Sequence, residues 1–121
     1  MTEMTNSKRY DLEERTFQFA KRMALFCKQI PKSISNIEYT KQAVRASGST
    51  GANYIEANES LSKKDFLMRT KICRKEAKES AYWLRLIIET NEEKFHIEGK
   101  SLLEEALALK KIFSSIIENS Q

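Results

Sequence analysis

Eight of the twelve residues from Gln42 to Asn53 are Ala, Gly, Ser or Thr, in the run Gln42-Ala43-Val44-Arg45-Ala46-Ser47-Gly48-Ser49-Thr50-Gly51-Ala52-Asn53. A long basic segment reaching Ile88 follows it. Two glycines inside a helix cost about 1 kcal/mol each relative to alanine, so something must offset that cost. Two arrangements would account for them. Either the chain bends or loops at Ser47 to Gly51, or an unbroken helix uses its small side chains to let a neighbouring backbone come close. Val44, Tyr54 and Ile55 keep helical spacing on both sides, which favours the second. The rest of the chain is expected to cover this helix and the basic one after it.

The remaining composition points the same way. With three Gly and one Pro in 121 residues, 40% hydrophobic and 31% charged, the chain lacks the turn formers that a strand-rich fold needs. Its length suits a single core, hence one all-α domain over residues 10–121 behind a flexible N-terminal tail, residues 1–9. No apolar run approaches the ~20 residues that cross a bilayer, and Met1 to Arg9 is polar, unlike a signal peptide, so the expected location is the cytoplasm with no membrane contact. Cys27 and Cys73 are far apart, with apolar neighbours and no metal-ligand spacing, and read as reduced core thiols.

Asp11 with Glu14 has the form of a helix start, and Leu12, Phe19, Met23, Phe26 and Ile30 make one apolar stripe with Phe17, Ala20, Ala24 and Cys27 beside it. Pro31 ends this first helix. After a polar connection, Lys32 to Asn36, the second helix is read from Ile37 to about Leu61. Ser62 with Asp65 caps a third helix from about Lys63 to Thr90. Asn91 to Gly99 reads as an acidic turn. Ser101-Leu102-Leu103-Glu104 has the form of a capping box, and Leu102, Ala106, Leu109, Phe113, Ile116 and Ile117 give a fourth amphipathic helix. Four helices with short connections imply an antiparallel up-down-up-down four-helix bundle.

The third helix concentrates the charge. Residues 62–90 carry eight Lys or Arg against four Asp or Glu, an excess equal to the net +4 of the whole chain. Projected at about 100° per residue, Phe66, Cys73, Ala77, Ser80, Leu84 and Ile87 share the core side. Lys63, Lys64, Lys71, Arg74, Lys75, Lys78 and Arg85 fall on one shoulder, and Asp65, Ile72, Glu76, Glu79 and Trp83 on the other. The basic shoulder suits phosphates, with arginine forks and lysine point charges, and so RNA or DNA. Alternatively the basic shoulder of one subunit meets the acidic shoulder of the next, a head-to-tail contact that can close into a ring. A simply solvated charged face is the third reading. Trp83, the only tryptophan, has the character of an interface anchor.

Arg45-x-x-Gly48-x-x-Gly51-Ala52-Asn53-Tyr54-x-Glu56-Ala57, then Ser62-Lys63-x-Asp65-Phe66 and Lys71-Ile72-x-x-Lys75-Glu76-Ala77-x-Glu79-Ser80-x-Tyr82-Trp83-Leu84-Arg85-Leu86-Ile87, resembles the bacterial four-helix-bundle proteins encoded in intervening sequences of 23S ribosomal RNA genes. The likeness covers roughly residues 10 to 118. It implies a homopentameric ring, and through a distant relative, the accessory variability determinant of diversity-generating retroelements, a nucleic-acid or ribonucleoprotein partner. Arg45, Asn53, Glu56, Glu76, Glu79 and Trp83 fall on the family's motif. Polar groups near a small-residue seam need mutual hydrogen bonds, so Arg45, Asn53 and Glu56 are expected in a structural network, with Asn53 and Glu56 facing Arg74 or Lys78.

No reaction chemistry stands out. Glu76 and Glu79 lack the second Glu and His set of a bundle metal site, His96 has no nucleophile or carboxylate motif beside it and reads as a solvated loop residue, and Gly48-x-x-Gly51 lacks the strand and Gly-Lys-Ser/Thr ending of a phosphate loop. The expected function is therefore a non-catalytic, ring-forming binding or scaffold protein without cofactor or metal, taking RNA or DNA on the basic face of the third helix. The runner-up is a protein-binding adaptor that uses that face in subunit contacts.

Overall fold

The computed structural model describes residues 6–121, with side chains described from Asp11 onward. Four helices follow in order: α1 (Asn6–Gln29), α2 (Ile34–Asn58), α3 (Lys63–Thr90) and α4 (His96–Ser120), with one 3-10 turn, Glu93–Phe95, before the last. Each helix packs on the next, α3 most extensively against α2 and α4, and α1 closes the bundle with a lighter contact to α4. This is the expected all-α four-helix bundle.

The stripes read from the sequence meet in one core. Phe19, Met23 and Phe26 of α1, Tyr54 of α2, Phe66, Leu84 and Ile87 of α3, and Leu102, Leu109 and Phe113 of α4 are all fully buried. Fully burying such a side chain contributes about 1.5–3 kcal/mol, so this cluster is the main source of stability. The second stripe of α1 behaves differently: Ala20, Ala24 and Cys27 are half-buried, but Phe17 is 60% exposed.

The small-residue run is unbroken helix, which excludes the bend at Ser47 to Gly51. Gly51 explains why. A Cβ added there would lie 2.9 Å from Oγ1 of Thr16, so glycine lets α2 press directly on α1. Thr16 itself is buried and donates its hydroxyl back to the Leu12 and Glu13 carbonyls at 3.0 and 2.9 Å, hiding its polarity inside α1. Gly48 is the opposite case. It is exposed and nothing would meet its Cβ within 4 Å.

Several boundaries differ from the sequence reading. Helix α1 includes Asn6 to Arg9, so Asp11 lies inside it rather than at its start, and the rest of the expected tail, residues 1–5, lies outside the described residues. Helix α2 starts three residues early because Ser33 caps it, its side-chain oxygen accepting from the Asn36 amide at 3.1 Å. The expected box at Ser101 does not cap α4. Buried Phe95 anchors the preceding turn, and Gly99 lets the first turn of α4 lie flat on α3, where a Cβ would meet Ile88 Cγ1 at 2.8 Å. Packing thus carries the helix back to His96, and Ser101 instead accepts from Arg22 of α1 at 2.9 Å. Ser62 caps α3 as expected, accepting from the Asp65 amide at 3.1 Å.

Polar groups also tie the helices together. Arg15 grips Glu105 with both arms of its guanidinium at 2.7 and 2.8 Å, and Arg22 reaches Glu98 at 2.8 Å, both joining α1 to α4. At one end of the bundle Asn36 and Asn91 exchange side-chain hydrogen bonds at 2.8 and 2.9 Å, fastening the start of α2 to the end of α3.

Candidate nucleic-acid interface

Ser62 fixes where α3 begins, and the apolar side of the helix fixes its rotation, so the two charged shoulders have determined destinations. The basic one faces outward. Lys64, Lys71, Lys75, Lys78 and Arg85 are exposed, and Arg74 is half-buried at the edge. Among the described residues the four lysines make no ion pair; Arg85 meets Glu89 at 3.8 Å, both about two-thirds exposed, a surface pair of little energetic weight.

The other shoulder turns inward against α2. Glu76 is only 8% exposed, and Arg45 of α2 reaches across to it at 3.4 Å and to Glu79 at 3.0 Å, while Gln42 accepts from the Arg45 Nε at 3.3 Å. The hydrogen bond to Glu76 holds the Arg45 guanidinium above its ordinary pKa. Burial raises the Glu76 carboxyl above the usual carboxylate range, and neighbouring Glu79 adds to this against the pull of Arg45. Burial wins because the single arginine is half exposed, shared by two carboxylates, and no nearer to Glu76 than 3.4 Å. Ile72 is half-buried on the same side. Trp83, also half-buried, rests on the core and lies tilted at 34° to Tyr39 of α2, with 6.1 Å between ring centres.

Polar contacts thus join α2 and α3, with members partly different from those expected. Asn53 accepts from Arg69 at 3.1 Å rather than facing Arg74 or Lys78, and donates to the Ser49 carbonyl at 2.9 Å. Glu56 lies exposed. Arg69 and Tyr39 escaped the sequence reading. A helical projection puts Arg69 on the inward shoulder with Ile72 and Glu76, which was the available signal; Tyr39 gave none, since its partner is on another helix.

A second surface feature lies between α1 and α2. Ile37, Val44 and Ile55 are 53%, 43% and 50% exposed, and their spacing sets them with Gly48 along one side of α2. Ala24, Ile30, Ile37 and Val44 line an apolar hollow of about 650 Å³ there, rimmed by Lys28, Lys32 and Lys41. Phe17 of α1, also exposed, shares a helix flank with Ala24.

Nothing in the thiols or the histidine suggests a reaction centre. Burial pushes Cys27 up to about 11 and Cys73 up to about 12, far above the range where a thiolate forms at neutral pH. His96 is not a loop residue: it opens α4, half-buried, with Nε2 buried and unpartnered among the described residues. Among the described residues no three His, Cys, Asp or Glu side chains gather as a metal ion would need, and no helix is long and apolar enough to cross a membrane.

A sequence model of the 23S rRNA-intervening sequence proteins matches residues 8–115. The chain belongs to that family. No curated protein matches this family member. Among solved structures it is similar to a protein of unknown function from the S23 ribosomal protein family of Bacteroides thetaiotaomicron, with 29% identity over 88% of this chain and 97% of the other, and a TM-score of 0.74. For a 23S rRNA-intervening sequence protein these likenesses fix the fold and leave its role to be argued from its surface.

Proposed function

We propose that this chain is a non-catalytic, ring-forming scaffold that binds RNA or DNA through the outer face of α3. The observation that carries the reading is the inequality of the two shoulders: Glu76 and Glu79 are engaged by Arg45 within the chain, while Lys64, Lys71, Lys75 and Lys78 remain exposed without ion pairs among the described residues. An array of unpaired cations along one helix releases counterions when phosphates replace them, which favours polyanions.

The subunit contact is proposed on the outer side of α2, where Ile37, Val44, Gly48 and Ile55 lie in line. A mid-helix glycine with open space beside it is otherwise an unrecovered cost, and it admits a close neighbour from another copy. Ile72 and Trp83 retain enough exposed surface to border such a contact. By family resemblance the closed ring would hold five subunits. The adaptor reading has the basic face of α3 used in subunit contacts, with the apolar hollow left as a surface for a partner protein.

Both parts have direct tests. A Lys75→Glu/Lys78→Glu variant is expected to lose at least tenfold in affinity for labelled RNA or DNA, and unchanged binding would overturn the nucleic-acid part. Sedimentation velocity is expected to show one closed oligomer for the wild type and monomers for Val44→Glu/Ile55→Glu. A monomeric wild type at micromolar concentration would overturn the ring, and an oligomer lost in Trp83→Ala but kept in the α2 variant would return the contact to α3. A ring without nucleic-acid binding even at low salt would leave the adaptor.

A further inference from the structure

Tyr82 stands on the cationic face. It follows Lys71, Lys75 and Lys78 by eleven, seven and four residues and precedes Arg85 by three, spacings that keep all five side chains on one side of α3. The ring is 56% exposed. It is also held: its edge meets Trp83 at 77° with centres 5.1 Å apart, and Trp83 rests on Tyr39 and the core. Gln42, Arg45, Lys75, Lys78, Glu79, Tyr82 and Trp83 line an open hollow of about 490 Å³ between α2 and α3. Glu79 in its wall is paired with Arg45 at 3.0 Å, so its charge is offset rather than aimed at an incoming anion.

A second hollow lies on the same face. Lys64, Met68 and Lys71, with Ser62, Asp65 and Leu67, line another space of about 490 Å³ at the start of α3. Met68, 51% exposed, precedes Tyr82 by fourteen residues, about 21 Å along the helix axis and nearly in line with it. Two recesses, each with an exposed soft or aromatic side chain beside two lysines, repeat along one track.

We propose that this track binds single-stranded nucleic acid, with one unpaired base stacked on the Tyr82 ring and its flanking phosphates on Lys75 and Lys78. The inference rests on the nucleic-acid reading above and makes it specific. A flat ring among cations matches a base and its phosphates together, whereas an acidic peptide would use only the lysines. In a duplex the base faces are covered by their neighbours, so the ring would find nothing to stack on. Unpaired strands present that face.

The test uses the full chain with fluorescein-labelled oligo(U), oligo(dT) and an RNA duplex of equal length, read by anisotropy and by quenching of Trp83, the only tryptophan. Single strands are expected to bind more tightly than the duplex. Tyr82→Ala should weaken them about tenfold, as loss of one stacked base does, without altering the salt dependence or the duplex affinity, and Tyr82→Phe should restore binding. A preference between oligo(U) and oligo(dT) would combine the sugar hydroxyl with the thymine methyl, and either order supports the track. Unchanged single-strand affinity in Tyr82→Ala, alongside losses in Lys75→Ala and Lys78→Ala, would overturn the stacking site and leave the basic face standing. Competition by polyglutamate as strong as by oligo(U), or no binding by the wild type, would overturn both.

Discussion

The two flanks of α3 carry charges of opposite sign, but their fates differ in kind. On the inward flank Glu76 is nearly dry and is matched by Arg45 from the neighbouring helix; on the outward flank Lys75 stands in water with no ion pair among the described residues. The first is part of how the bundle holds together, and the second has no evident use within the subunit. Charge at a sequence position therefore has one meaning when a packed helix covers it and another when nothing does.

Substitutions can break or sharpen this contrast. Arg45→Ala strands the buried Glu76 carboxylate beside Glu79 and is expected to cost about 1–3 kcal/mol in urea unfolding at pH 7, whereas Lys75→Ala should stay within about 0.5 kcal/mol. Equal losses would erase the distinction. The two glycines of α2 repeat it on a smaller scale. Gly51→Ala forces a Cβ against Thr16 and should cost about 1–2 kcal/mol, net of its better helix propensity. Gly48→Ala, facing open space, should gain up to about 1 kcal/mol in dilute protein. A loss at Gly48 in a monomer would mean that the outer side of α2 is covered by its own chain.

The smallest expected effect is a pH dependence. Because burial raises the Glu76 carboxyl, the folded chain holds that proton more tightly than the unfolded chain does. This contribution is fully present below the unfolded carboxylate value of about 4.3 and is lost as pH rises through the raised folded value. Glu76→Gln should therefore gain stability relative to the wild type as pH climbs from 4 to 7, followed by thermal melts. The opposite trend would make the Arg45 pairing the dominant influence.

Much of this was legible from residue spacing. The apolar stripes of α1, α3 and α4, the Ser62 cap and the outward basic shoulder follow from helical periodicity and local capping, and the structure places them as the spacing implies, whereas Val44 and Ile55 of α2 lie exposed. What periodicity could not supply was partnership between helices. It could not say that Arg45 would take both Glu76 and Glu79, that Arg69 rather than Arg74 would reach Asn53, or that Phe17 would lie outside the core. Nor could local capping chemistry find the start of α4. Ser101 and Glu104 are the right residue types for a cap, but Phe95 and Gly99 pack earlier against the bundle, and that contact decides.

The salt dependence of oligonucleotide binding bears most directly on the outward flank as a phosphate-binding surface. If Lys64, Lys71, Lys75, Lys78 and Arg85 all replace counterions on a single strand, log K should fall against log salt with a slope of about −3.5. Removing Lys75 and Lys78 together should reduce that slope to about −2. A slope near zero, or one unchanged in the double variant, would contradict the account.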